Sequence, residues 1–195
     1  SAERNMGSGR LMGFIDNVCP SANEMPPKKT KKGDTLTCDA NGPACIVIYK
    51  TISEPHVGEL SFFKVYSGTV KSGMELENET TGVTEKLAQL FLVEGNKRTV
   101  INELVAGDIG ATLKLKNTQT NQTLYGKGNP ITIEPIQFPE PRISVAIIAR
   151  NKNDDEKIGM VLADIHREDP TLTIEYSREL KQVIMHGQGE LHLQA

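Results

Sequence analysis

The sequence predicts a mainly β protein that ends in an α+β segment: an antiparallel β-barrel followed by a partial ferredoxin-like βαββ domain. Short alternating apolar segments, separated by glycine and asparagine turn signals, run from residue 44 to residue 134 and are typical of a barrel. A Phe-Pro-Glu-Pro break at 138–141 precedes a strand–helix–strand–strand pattern, the first part of a split βαβ unit. We therefore expect three regions: 1–27, 28–137 and 138–195.

The first region, residues 1–27, is predicted to hold one amphipathic helix over 10–18. Its apolar side chains recur at helical spacing and share one face; they are Leu11, Met12, Phe14, Ile15 and Val18. Cys19-Pro20 ends the helix because proline cannot donate the next hydrogen bond. So short a helix needs a surface to pack against, and that surface need not belong to this chain.

A linker is predicted over 26–43, where Pro26-Pro27 stiffens the chain and Gly33-Asp34 supplies a turn. Four lysines lie close together in it: Lys28, Lys29, Lys31 and Lys32. These lysines would either bind phosphates or simply belong to a solvent-exposed connector, and we favour the second interpretation.

The barrel strands are predicted from alternation and from β-branched runs. They are 44–50, 59–66, 74–78, 83–93, 109–116 and 131–134, with 69–72 as a hairpin connection between Gly68 and Gly73. The segment 85–93 has helical propensity, but the strands on both sides favour a strand.

The third region begins with a strand over 142–149. A helix over 155–168 follows, with Asn153 or Asp154 as its N-cap. Its apolar stripe is Ile158, Val161, Leu162 and Ile165. Strands over 172–176 and 182–186 complete the pattern, and a new helix start near Glu190 leads us to expect that the chain is a piece of a longer protein.

Composition excludes several classes of protein. Lys and Arg total 22 against 25 Asp and Glu, a formal charge of −3, so any nucleic-acid contact must come from a local patch. No apolar run approaches the roughly 18 residues of a membrane span. The three cysteines Cys19, Cys38 and Cys45 are odd in number and lack CxxC spacing. This favours reduced thiols in the cytoplasm over a disulfide framework or a zinc site that would add His56.

No catalytic or nucleotide-binding residue is predicted. Residues 151–154 spell the guanine-reading string NKxD, but no phosphate-binding loop accompanies it, so we interpret it as a polar loop that caps a helix. The turn Gly187-Gln188-Gly189-Glu190 is the most unusual local feature. Its glycines permit a positive φ or a close backbone approach. The turn could form an interface, with another domain or with an RNA phosphate. It could equally be an ordinary β–α turn, and spacing alone leaves both interpretations open.

Several motifs resemble translation elongation factor G, in the order and at about the spacing found in that family. The longest is V-G-E-L-S-F-F-K-V-Y-S-G at 57–68. The others are N-K-R at 96–98, A-G-D-I at 106–109, F-P-E-P at 138–141, E-D-P at 168–170 and G-Q-G-E-L-H-L at 187–193.

The resemblance implies domains II and III of a translational GTPase that promotes movement of tRNA and mRNA on the ribosome. It implies small-subunit ribosomal RNA and ribosomal proteins as partners, together with the GTPase domain of the same protein, which would bring GTP and Mg²⁺. The fragment itself would hold no cofactor or metal, would not be an enzyme, would contact no membrane and would be monomeric and cytoplasmic.

Candidate site residues follow from the matched motifs. The candidates for ribosomal RNA contact are Lys64, Tyr66, Ser67 and Lys71, which flank the 67–73 segment. The candidates for the interface with the GTPase domain are Gly187, Gln188, Gly189, Glu190 and His192.

The sequence departs from the family's pattern at three places. Lys64 replaces an arginine, which keeps the charge but loses the bidentate fork. Gln188 replaces a small residue or methionine, and Thr120-Asn121-Gln122-Thr123-Leu124 lacks the glycine and acid of a T-G-D-T-L turn. These departures indicate a divergent paralogue, and the alternatives are ribosome recycling, tetracycline-type ribosomal protection or a standalone RNA-binding barrel scaffold.

Overall fold

The computed structural model describes residues 3–54, 58–149 and 155–194, without the side chains of residues 155 and 156. The predictions made for His56 and for residues 151–154 therefore lie outside the described residues. The helices in these ranges are α1 (Ser8–Val18), α2 (Asp155–Glu168) and α3 (Glu190–Gln194). The strands are β1 (Lys28–Lys29), β2 (Thr35–Leu36), β3 (Cys45–Glu54), β4 (Gly58–Ser67), β5 (Thr69–Lys71), β6 (Glu75–Asn78), β7 (Thr84–Lys86), β8 (Leu90–Glu94), β9 (Lys97–Ile101), β10 (Glu103–Val105), β11 (Ile109–Leu113), β12 (Thr123–Gly126), β13 (Ile143–Ile147), β14 (Thr173–Ser177) and β15 (Gln182–Gly187).

The barrel is an antiparallel sheet in the order β7-β6-β12-β3-β4-β11-β8-β9, completed by the separate pair β5–β10. Strand β4 shows why the sequence folds this way. Phe63 and Val65 point into the core and are fully buried, while Lys64 and Tyr66 alternate outward. The inner cluster collects apolar side chains from most of the strands; it contains Ile46, Ile48, Phe63, Val65, Val70, Leu76, Leu87, Leu90, Leu104, Leu115 and Leu124.

Three predicted barrel segments differ from the structure. Residues 69–71 are not a connection but strand β5, which pairs with β10. The predicted strand 83–93 is two strands, β7 and β8, so it is not a helix, and it breaks where Leu87 turns into the core. The predicted strand 131–134 forms only one bridge, between Ile133 and Thr30. Strands β9, β10 and β12 were not predicted; β12 pairs with β3 and β6.

The third region is a three-stranded antiparallel sheet in the order β13-β15-β14, with α2 packed against it. This confirms the strand–helix–strand–strand prediction. Leu162 of α2 and Leu172 are buried, whereas Val161 is largely exposed, so the apolar stripe is narrower than its sequence indicates.

Helix α1 has no buried residue, and all five of its predicted apolar side chains are exposed. The linker that follows is not merely an extended connector, because β1 and β2 pair as a small antiparallel hairpin over 28–36. In the described part of the chain, no helix is long and apolar enough to cross a membrane.

The barrel and the third region contact each other directly. Helix α2 packs against β3, where the Ser53 amide donates a 2.6 Å hydrogen bond to the Glu168 carboxylate. The Arg167 guanidinium pairs with Glu59 at the start of β4. Two charged residues at the end of one helix thus hold the same end of the barrel.

Candidate functional site

Lys64 and Tyr66 lie together on the outer face of β4. The Lys64 ammonium is 5.7 Å from the centre of the Tyr66 ring, within the range of a cation–π contact. Partial burial raises the pKa of the Tyr66 hydroxyl, and the nearby Cys45 adds to the rise, so the phenol stays protonated and able to donate. Both side chains line a cavity of about 110 Å³ that the linker, including Lys28, closes from the other side.

Lys71 and Ser67 have different surroundings. The Lys71 ammonium is 3.6 Å from the Glu103 carboxylate on the paired strand β10, and both side chains are mostly exposed. Such a pair contributes only about 0–1 kcal/mol, so Lys71 can exchange Glu103 for a phosphate at small cost. Ser67 is buried, and in this conformation its side chain does not reach the surface.

The turn at 187–190 is tied to the break between the two regions. The Gln188 side-chain amide donates to the carbonyl oxygens of Pro139, at 2.9 Å, and Glu140, at 3.1 Å. The Arg142 amide donates to the Gly187 carbonyl at 2.8 Å. These bonds explain the family departure at Gln188, because a methionine or small side chain has no amide to bind these carbonyls.

His192 and Asp169 form the second half of this cluster. The Gln188 backbone amide donates to His192 Nδ1 at 3.1 Å, so Nε2 carries the ring proton and donates to Asp169 at 2.9 Å. The other carboxylate oxygen of Asp169 accepts from the Thr171 amide and hydroxyl at 2.9 and 2.6 Å. We call Gln188, His192, Asp169 and Thr171 the turn clamp.

The two glycines of the turn do not have positive φ angles. Close approach is the relevant property at Gly187, where a Cβ atom would lie 2.6 Å from Leu193 Cδ2. Glu190 is exposed and accepts a 3.2 Å hydrogen bond from Gln194 within α3. The candidate interface residues are thus assembled around one turn, with Glu190 facing solvent and His192 occupied by the turn clamp.

The chemistry available to the turn clamp is limited. Both His192 nitrogens have partners, and the Asp169 carboxylate is held by three donors, so neither group is positioned as a free base. Among the described residues, no group of three or more His, Cys, Asp and Glu side chains is placed to hold a metal ion. The arrangement is suited to holding backbone geometry.

A cleft of about 680 Å³ between the barrel and α2 was not predicted. Most of the residues that line it are polar or charged, and they include the 114–119 loop and the Glu59–Arg167 pair at the domain contact. These side chains are separated by about fifty residues in sequence and meet only because the two regions pack together. No local sequence signal marks such a site.

A second family departure, at Asn121, also has a structural explanation. Asn121 stands at the glycine position of the T-G-D-T-L turn and adopts φ +75°, a left-handed conformation that asparagine tolerates better than most residues. Its side-chain amide donates to the Ile136 carbonyl at 2.8 Å, and the Ile136 amide donates back at 2.7 Å. The substitution thus keeps the turn and also anchors the segment that leads to the third region.

Comparisons with known proteins agree with this architecture of a translation-factor barrel followed by a βαββ domain. Residues 43–127 match the family model for elongation factor G domain 2, and residues 138–195 match the model for elongation factor G domain III. The chain belongs to the elongation factor G family and contains its domains II and III.

A solved structure of a protein from Thermus thermophilus has a similar arrangement. Its TM-score is 0.78 at 26% sequence identity, over 98% of this chain. This chain spans 27% of that protein's length. Neither matched family model is that of a GTPase domain.

Proposed function

We propose that this chain is the ribosome-binding and interdomain-coupling part of an elongation factor G-like translational GTPase that promotes tRNA–mRNA translocation. The observation that carries the proposal is the pair of family matches in consecutive order along the chain. The contacts between the two domains support the coupling role.

The coupling acts through two sets of contacts. The turn clamp binds the start of α3 to the 139–140 carbonyls, and the Asn121–Ile136 bonds fix the same linker to the barrel. Arg167 and Glu168 hold the C-terminal end of α2 against β3 and β4. A displacement imposed on α3 by a neighbouring domain is therefore transmitted to the barrel through the linker and through the C-terminal end of α2.

The parent protein would supply the remaining parts. A GTPase domain holding GTP and Mg²⁺ would contact the surface around Gly187, Gly189 and Glu190. Small-subunit ribosomal RNA and ribosomal proteins would contact the barrel, in the cytoplasm, with the fragment as a monomer.

The RNA contact is tested by replacing Lys64 and Lys71 together with alanine. If both ammonium groups bind phosphates, the slope of log K against log salt for ribosome binding should fall by about 1.4–1.8, at about 0.7–0.9 per contact. The measurement is cosedimentation of the chain with ribosomes over a KCl series. Lys50→Ala with Lys116→Ala is the matched control, since both lysines are exposed. Lys50 lies opposite Phe62, and Lys116 follows β11 beyond Leu113, which lies opposite Leu60. A double variant with the wild-type slope would overturn the assignment of these residues.

The guanine-reading string at 151–154 gives a second test. Because no phosphate-binding loop accompanies it, isothermal titration of the chain with GDP should show no binding. A micromolar dissociation constant for the isolated chain would contradict the proposal that nucleotide binding belongs to another domain.

A further inference from the structure

The four lysines of the linker lie on an ordered hairpin, defined here as residues 28–36 and called the lysine hairpin. Lys28 pairs with Leu36 and Lys29 with Thr35. At the tip, the Gly33 amide donates to the Thr30 carbonyl at 3.0 Å, and Gly33 has φ +88°. A turn closed by a left-handed glycine is a common way to end a short hairpin. Lys31 and Lys32 are thereby held at the tip.

The lysine hairpin is fastened to the barrel. The Lys31 amide donates to the Thr132 carbonyl at 2.9 Å, and the Glu134 amide donates to the Lys29 carbonyl at 3.3 Å. Between these bonds, Thr30 bridges to Ile133, which is buried against Cys45 and Val47. The backbone that carries the lysines is therefore a fixed extension of the barrel surface.

The charges of the lysine hairpin are unbalanced. All four lysines are exposed, and among the described residues none has a carboxylate within ion-pair distance. Asp34 is the one acid in the segment. Lys28 lines the same small cavity as Lys64, so the basic surface continues from the hairpin onto β4. This patch stands out in a chain whose formal charge is −3.

The residue types favour a nucleic-acid backbone over a protein partner. Lysine is depleted in protein interfaces, which are centred on aromatic, methionine and arginine side chains, and the exposed part of the lysine hairpin has none of these. The ammonium group of an exposed lysine is a compact positive charge that binds phosphate oxygens. Such contacts carry no information about the base sequence.

We propose that the lysine hairpin is an additional RNA-backbone contact that binds phosphates without base specificity. The identity of the RNA as ribosomal rests on the proposed function. The contact itself stands on the hairpin geometry, and it does not depend on Lys71 binding RNA.

The test compares three forms of the full 195-residue chain: the wild type, a variant with Lys28, Lys29, Lys31 and Lys32 changed to Gln, and a charge-matched control. The control carries Lys→Gln at four other exposed positions, Lys50, Lys114, Lys116 and Lys181. Binding is measured to purified ribosomes by cosedimentation and to a short fluorescent RNA duplex by anisotropy, between about 50 and 200 mM KCl.

The lysine hairpin variant should bind both probes at least about tenfold more weakly than the control, with a salt slope lower by about two or more, at about 0.9 per phosphate contact. A second variant carries Lys31→Glu with Lys32→Glu at the solvent-exposed tip. Each of its substitutions should weaken binding more than a change to Gln, because it adds a negative charge, and the barrel should be unaffected. Equal unfolding temperatures for all forms would show that the fold is intact.

The outcomes separate the two proposals. If the wild type binds both probes and the hairpin variant matches the control, the lysine hairpin is not an RNA contact, and the proposed function is unaffected. If the wild type binds the duplex but not ribosomes, the proposed function fails, while loss of duplex binding in the variant still supports the inference. If the variant loses ribosomes but keeps the duplex, the partner is a protein and the inference is overturned. Failure of the wild type to bind either probe overturns both.

Discussion

Replacing Gly68 with alanine is expected to destabilise the barrel by about 3 kcal/mol or more, whereas Gly73→Ala should cost about 1–2 kcal/mol. Both glycines are left-handed, with φ of +75° and +83°. At Gly68, a Cβ atom would lie 2.6 Å from the backbone N and Cα of Ala44 and 2.8 Å from the Gly42 carbonyl oxygen. At Gly73, nothing lies within 4 Å. An alanine is strained by the positive φ at both positions. Only at Gly68 would its Cβ atom also clash with neighbouring backbone atoms.

Urea unfolding of the two variants and the wild type measures this difference. Because the atoms around Gly68 are backbone atoms, they cannot rotate away, and relief requires the 42–44 segment to shift. The Gly68 amide also donates to the backbone carbonyl oxygen of Asp39 at 2.8 Å, so that shift would loosen the linker where it meets the barrel. Equal losses of stability in the two variants would show that close approach has no role at Gly68.

Gly68 also illustrates what the sequence could predict about the fold. As a turn signal it correctly marked the end of a strand, because its conformational preference is local. Its contact with Ala44 depends on the pairing of β3 with β4 and is not visible in either segment alone. Alternation along the chain is also a local signal, and it predicted the strands β4, β13, β14 and β15.

The errors in the barrel have related causes. The run 83–93 contains enough apolar residues for one long strand, but Leu87 must turn inward between β7 and β8, and only the closed core requires this. Apolar and polar residues alternate along 131–134, yet the backbone of this segment pairs only with the short β1–β2 hairpin and forms a single bridge. Strand β12 escaped prediction because it is short, ends in Gly126 and directly follows Asn121, so this stretch of sequence has the composition of a loop.

The candidate site was predictable only as a set of positions. The motif at 187–193 placed Gln188 and His192 on one turn, but their partners lie in the 139–140 linker and at Asp169. Neither partner is close to the turn in sequence. The sequence therefore predicted His192 as an interface residue but did not predict the hydrogen bonds that both of its ring nitrogens make. All the candidate site residues stay predictions: the RNA contacts Lys64, Tyr66, Ser67 and Lys71, and the domain-interface residues Gly187, Gln188, Gly189, Glu190 and His192.

Replacing Asp169 with asparagine should destabilise the third domain by about 1–2 kcal/mol at neutral pH. The asparagine keeps the shape but loses the negative charge, and hydrogen bonds to a charged acceptor are worth about 1.5–3 kcal/mol when buried and less in a half-exposed position. The Asp169 carboxylate accepts from His192 and from two donors of Thr171. Asp164→Asn is the matched control, because Asp164 is more exposed and has only a 3.7 Å contact to Arg167.

The same network predicts a dependence on pH. Partial burial raises the pKa of Asp169, but the hydrogen bonds from Thr171 and His192 outweigh it and hold the pKa below the ordinary value. A carboxyl group whose pKa is depressed on folding stabilises the fold above its unfolded pKa of about 4, and that contribution is lost as the pH falls through the folded value. The wild type should therefore lose stability below about pH 4 more steeply than Asp169→Asn, while Asp164→Asn should follow the wild type.

Hydrogen exchange at the Gln188 amide distinguishes a positioning role from a general effect on stability. In the wild type this amide donates to His192 Nδ1, and it can do so only while Asp169 accepts the proton on Nε2 and thereby holds the ring in that tautomer. Asp169→Asn offers the ring either an oxygen or an NH₂ group, so the tautomer is no longer fixed and Gln188 should exchange faster than its neighbours in β15. Uniform acceleration across β15 would instead mean that Asp169 contributes only to the stability of the domain. Selective acceleration would show that the turn clamp sets the geometry of the turn from which α3 begins.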